Sequence, residues 1–243
     1  MISTRAYIWG LVILLCIRLM MVIGLIQGFP NIQDRENGWY VRILTDYEEE
    51  FFRLARSLAG FKPILTYPAL GFPLFLVPFI WIFRAKAIGD ILLPVALFNS
   101  ILPFGISIFL IASIAKKLTN GNKKVALLST GLWVILPYLA YLSVALYPKL
   151  GCISIPQKRT FYLMWLAFLD DPLYSFLIIL GVYTFIKFLA NRVKTYLAVL
   201  MGIFFGFASL INPLTSSVIG ISFVLTLLFT KYFKAFIYSL IAF

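Results

Sequence analysis

Seven apolar runs, at about residues 6–28, 67–83, 91–115, 125–148, 172–186, 196–211 and 214–230, are separated by short polar stretches, and another opens at Ala235. The first is long enough to cross about 30 Å of hydrocarbon as an α-helix rising about 1.5 Å per residue. Arg18 interrupts it. Such a side chain faces the inside of a bundle, snorkels to the interface or meets a ligand. The run at 67–83 contains Pro68, Pro73, Pro78 and Gly71, which suits a broken or re-entrant segment better than a straight span. No other sequence period and no low-complexity linker is present. The pattern predicts an all-α integral membrane protein: one membrane domain over 1–243, folded as a polytopic helical bundle.

The first polar stretch, 29–66, holds a different periodicity. In LTDYEEEFFRLARSLAG (44–60), Phe51, Leu54, Ala55 and Leu58 recur at helical spacing, with Arg53 and Arg56 on the other face. Thr45 as N-cap and Glu48 three residues on form a capping box, and Asp46 and the glutamates then fall in the first turn, where the helix dipole favours anions. Gly60 is a fair stop. This predicts an external juxtamembrane amphipathic helix on the membrane surface. On these residues alone its acids either cap and solvate the helix or belong to a site.

Charge decides orientation. If every run crosses and the N-terminus is cytoplasmic, the 20 bases other than Arg18 divide 6 inside and 14 outside, and the short loop KKLTNGNKK (116–124) falls outside. If 67–83 does not cross, they divide evenly, and the lysine-rich short loops lie in the cytoplasm, as the positive-inside rule requires. In that arrangement 29–90 and 149–171 are external, and all nine acids face outward. Composition agrees with a membrane location: 62% of residues are hydrophobic, 12% are charged against about 25% in soluble domains, and mean hydropathy is +0.99. The net charge of +12 sits in loops between apolar runs, which excludes nucleic acid as the better reading. The absence of His removes histidine metal ligands and histidine bases. Cys16 and Cys152 are expected at different depths and unpaired.

Two acidic stretches thus meet the outer boundary. Beside the one at Asp46–Glu50, FLDDPLYSFLIIL (168–180) puts Asp170 and Asp171 directly before a span, with Pro172 in its first turn. Asp170 and Asp171 are equally explained as charges at a helix N-terminus.

In order, these segments resemble the polyprenol-dependent glycosyltransferases of the GT-C fold, which include protein O-mannosyltransferases and aminoarabinose transferases. DYEEEFFRLARSL is similar to the acidic motif and surface helix of that family's first external loop. YPALGFPLF, beginning at Tyr67, is similar to its Tyr-Pro-Pro-Gly-Tyr-Pro stretch, and LDDP to the Leu-Asp-Pro that ends its second external loop. The resemblance covers about residues 6–230. The family often carries a basic residue directly before a Pro in a later span, where this chain has Asn212 before Pro213.

The resemblance implies a GT-C-like fold and an inverting transfer of sugar from a polyprenyl-phosphate-linked donor to a protein, glycan or lipid acceptor. It implies Asp46 or Glu48 as the base, Asp171 and Asp170 as the facing acids, and Lys158, Arg159 and Arg42 as cations for the leaving phosphate. Such chemistry needs a carboxylate for the acceptor proton and cations for the phosphate. No metal ligand set is assigned, although paired acids also suit Mg²⁺ or Mn²⁺. The rival readings are a transporter or flippase of a lipid-linked substrate, and a non-catalytic truncated relative.

Overall fold

The computed structural model describes residues 3–27, 40–60, 70–146, 171–190, 195–213, 218–223, 225 and 233–242. All regular structure among them is helical. In chain order the helices are α1 (Thr4–Gln27), α2 (Tyr40–Ala59), α3 (Gly71–Phe83), α4 (Gly89–Ile101), α5 (Pro103–Leu118), α6 (Lys123–Leu146), α7 (Asp171–Ala190), α8 (Tyr196–Ile211) and α9 (Phe233–Ala242). Among the described residues three stretches are long and apolar enough to cross a membrane: Thr4–Met21, Pro94–Leu118 and Pro172–Ala190. The chain is a helical protein of membrane type.

Helices α1 and α6 run side by side in the same direction. Lys123 Nζ donates to Thr4 Oγ1 at 3.0 Å, Gly10 lies against Leu127, and Gly131 lies against Leu14. Helix α5 runs against both, and Leu11, Phe104, Ile108, Ala112 and Val134 form their common core. Helices α7 and α8 form an antiparallel pair around Phe185, Phe188, Leu197, Ala198, Met201 and Phe205. Gly181 lets the Phe205 ring approach, and Gly202 lets the α9 backbone at Ser239 approach α8. The start of α1, the end of α5, the start of α6 and the end of α7 therefore share one end of the bundle. Lys117 Nζ reaches the Ile186 carbonyl there at 3.2 Å. This end carries Lys116, Lys117, Lys123, Lys124 and Lys187.

Three sequence expectations meet the structure directly. The run at 196–211 is α8, residue for residue. The expected single run at 91–115 is two helices meeting at Leu102. Pro103 has no N–H for the carbonyl four residues back, so the chain kinks there, and Leu102 takes φ −84°, ψ −71°. Hydrogen bonds from Leu102 N to Phe98 O at 2.8 Å and from Ile106 N to Leu102 O at 2.9 Å carry the ladder across the break. The proline-rich run at 67–83 becomes the 13-residue α3, about 20 Å long and short of a hydrocarbon layer of about 30 Å.

The start of α3 is held by close contact. A Cβ on Gly71 would stand 2.7 Å from Ile211 Cγ1 and 2.9 Å from the Ile211 backbone nitrogen, whereas one on Gly131 would meet only Leu14, at 3.9 Å. Gly71→Ala is expected to destabilise the protein by about 1–3 kcal/mol through overpacking against backbone. Gly131→Ala should be neutral or stabilising by up to about 1 kcal/mol. Thermal unfolding of the two variants in one detergent measures the contrast, and equal behaviour would contradict the α3–α8 contact.

Candidate functional site

The amphipathic pattern of 44–60 folds as a helix with the expected faces. Phe51, Phe52, Leu54 and Ala55 are buried, and Arg53 and Arg56 are exposed. The start differs. Helix α2 begins at Tyr40, so Thr45 is not an N-cap, Glu48 is not the third helical position, and no acid lies in the first turn. The reason is readable in the residues. Tyr40, Leu44, Tyr47 and Phe51 continue the apolar spacing backwards with no Gly or Pro between them, and that continuity outweighs a local capping motif.

From Phe51 to Ala59 the apolar face of α2 packs on protein. Phe51 meets Phe72 edge to face with ring centroids 5.5 Å apart, and the Trp81 indole N–H donates to the Ala59 carbonyl at 3.2 Å. Since 51 pairs with 72 and 59 with 81, α2 and α3 run parallel. Helix α3 then turns back on α4, with Phe75 and Phe79 packed on Phe98 at 5.6 and 5.5 Å. The turn between them contains Arg84 in the left-handed region, φ 48°. Asp90 Oδ2 accepts from the Lys86 and Ala87 amides at 2.8 and 3.0 Å. Those hydrogen bonds, the one from Ala87 first, hold the Asp90 carboxyl below its ordinary range. Arg56 fastens α2 to this turn by donating to the Lys86 carbonyl at 3.3 Å.

This three-helix cap is joined to the rest of the bundle by one apolar cluster. It contains Phe51, Phe52, Phe72, Leu76, Ile91, Val95 and Ile211, with Leu173, Tyr174 and Leu177 packed against it. The middle of α2 and the first two turns of α7 therefore share a core at the end opposite the lysines.

The expected site residues fall as follows. Arg42, Asp46 and Glu48 lie on α2, and Asp171 is the first residue of α7; their side chains are outside the described positions. Tyr67, Lys158, Arg159 and Asp170 lie outside the described residues. Glu50 is half-buried and lies 3.9 Å from the Arg53 guanidinium, with both side chains substantially in the open, a pair that contributes little to stability. Among the described residues no three His, Cys, Asp or Glu side chains gather as metal ligands. Cys16 is a free, exposed thiol on α1, and Cys152 lies outside the described residues.

Arg18 faces the bundle and is 1% exposed, with its guanidinium 4.1 Å from the Phe104 ring centre. Asn99, Ser100 and Ser107 are also buried, on either side of the α4–α5 break. The Ser107 hydroxyl donates to the Pro103 carbonyl at 2.6 Å. The sequence singled out Arg18 but not Asn99 or Ser100; their signal was two adjacent polar residues four and three positions ahead of the mid-run Pro103. Comparison with protein-family models, curated proteins and solved structures finds no match to this chain.

The lowered pKa of Asp90 means that its contribution is fully present above the ordinary value of 3.8 and is lost as pH falls through the lower folded value. Asp90→Ala is expected to remove the protection of the Lys86 and Ala87 amides at neutral pH. In the unmodified protein that protection should fade only in strong acid. Hydrogen-exchange protection factors at these two amides measure both; unchanged protection in the variant would contradict the cap.

Proposed function

We propose that the chain is a membrane glycosyltransferase of the GT-C type. It moves a sugar from a polyprenyl-phosphate-linked donor to an acceptor hydroxyl or amine on the outer face, with inversion. The observation that carries this reading is the shared core of α2 and α7. Asp171 opens α7, and Asp46 and Glu48 lie within two turns of Phe51, so the helices bearing both acidic stretches meet at one end of the bundle. A donor with a lipid tail presents its phosphate at that kind of boundary.

Orientation supports the same reading. Thr4 and Lys123 touch, so the chain between them crosses the layer an even number of times. Helix α1 and the α4–α5 unit account for two crossings, with α3 turning back. The lysine end is then cytoplasmic and the acidic end extracytoplasmic. In this mechanism Asp46, or Glu48, takes the proton of the attacking acceptor. Asp171 orients the acceptor from the facing helix, beside Asp170. Lys158, Arg159 and Arg42 neutralise the departing phosphate, Tyr67 belongs to the substrate-binding segment ahead of α3, and Mg²⁺ or Mn²⁺ would serve the same phosphate if bound. Transport of a lipid-linked substrate is less well supported, because transporters place ionisable groups near mid-bilayer. Among the described residues Arg18 alone is buried at such depth.

Transfer from a radiolabelled polyprenyl-phosphate sugar by the purified chain is the direct test. Asp46→Asn or Glu48→Gln, whichever removes the base, should slow transfer about 10²–10⁴-fold. Asp171→Asn should abolish it with the protein still inserted, while Asp170→Asn should be milder. Movement of donor across vesicles without transfer would favour the flippase, and neither activity would favour a non-catalytic relative. Single cysteines at 46 and 123, in a background lacking Cys16 and Cys152, test orientation with an impermeant thiol reagent. Labelling from outside is expected at 46 and not at 123.

A further inference from the structure

The lysine end of the bundle has a charge pattern that the reaction proposed for the opposite end does not use. Arg5, Lys116, Lys117, Lys124 and Lys187 are all exposed there. Lys116, Lys117 and Lys187 contact neutral groups. Lys117 Nζ donates to the Ile186 carbonyl at 3.2 Å. Lys116 Nζ stands 6.0 Å from the centre of the Tyr7 ring, and Lys187 Nζ stands 5.0 Å from that of Tyr183. An ammonium has three donors, so these contacts leave capacity on each. No acid occurs in residues 1–33, 91–169 or 172–243, so the segments that build this end bring no carboxylate to it.

Immediately beneath the charges the surface turns apolar. On α1, Ile8, Trp9 and Ile13 are 52%, 64% and 55% exposed, and on α6, Leu128 and Leu132 are 65% and 54% exposed. A soluble anion would use the charges and leave this shaft uncovered. A molecule with an anionic head and acyl chains covers both. Lys116 from α5 and Lys123 from α6 approach the first turn of α1 at Tyr7 and Thr4, so the charges bracket the top of that apolar shaft.

We propose that this end is a binding surface for anionic phospholipid headgroups of the leaflet it faces, with the acyl chains lying along the α1–α6 face. The attraction is electrostatic, selects phosphatidylglycerol over phosphatidylcholine, and weakens with salt. A basic residue near such a surface is worth about 1 kcal/mol, or about fivefold in relative affinity.

The test uses the full chain reconstituted in vesicles of phosphatidylcholine containing a minor fraction of phosphatidylglycerol. Spin-labelled versions of the two lipids report the population held at the protein surface. The unmodified protein should prefer the phosphatidylglycerol label, and molar salt should reduce that preference severalfold. The triple variant Lys116→Gln/Lys117→Gln/Lys187→Gln should lose at least tenfold in selectivity at low salt, and the matching triple Lys→Arg variant should keep it. No preference in the unmodified protein, a preference indifferent to salt, or full selectivity in the Gln variant would overturn the proposal. Should the Gln variant fail to insert, the salt titration of the unmodified protein and the Arg variant still decide the question. None of these readouts involves sugar transfer, so the surface and the glycosyltransferase reading stand or fall separately.

Discussion

Phe51, Phe72, Ile91, Val95 and Ile211 come from four helices and meet in one cluster. Two of those helices, α3 and α4, have 13 residues each, too few to cross the apolar layer alone. A helix of that length keeps its place in lipid only if neighbours cover it, because inside the layer there is no water to take up its frayed backbone groups. The aromatic ladder Phe72, Phe75, Phe79 and Phe98 and the Gly71–Ile211 contact supply that cover. Without them α2 would have no partner for its buried face, and the two acidic stretches would have no common frame.

The two ends of the bundle divide the chemistry. One is built from segments without a single carboxylate and is fastened by lysines to neutral groups. The other carries the Asp90-capped turn, α2 and the start of α7. Between them, among the described residues, the buried polar groups are Arg18 and a few hydroxyls and amides. Arg18 is tolerated there because the Phe104 face receives its guanidinium and Leu11, Phe104 and Val134 close around α1.

Much of this was legible from the sequence where a single period dominates. Helix α8 reads correctly because sixteen largely apolar residues, broken by Ser209 and ended by Asn212-Pro213, leave no alternative. The two faces of α2 were legible because Phe51, Leu54, Ala55 and Leu58 alternate cleanly with Arg53 and Arg56. Its start was not, because the capping motif at Thr45 and the apolar spacing through Tyr40 and Leu44 compete, and only packing settles such a contest. The α4–α5 break was hidden for a related reason. Hydropathy is blind to one missing N–H at Pro103. The parallel course of α2 and α3 was not legible either, since it depends on contacts between residues some twenty positions apart.

The pairing of α1 with α6 has a consequence for how the protein is made. Thr4 and Lys123 are 119 positions apart, and synthesis at about 5–20 residues per second separates their appearance by roughly 6–24 s. For most of that interval α1 has neither α5 nor α6 beside it. It persists because a helix satisfies its own backbone and its flank is apolar. Its guanidinium at Arg18 has no Phe104 ring until α5 is made. The nascent chain therefore carries an incompletely housed charge from Arg18 until Phe104 is added, 86 residues later (104 − 18).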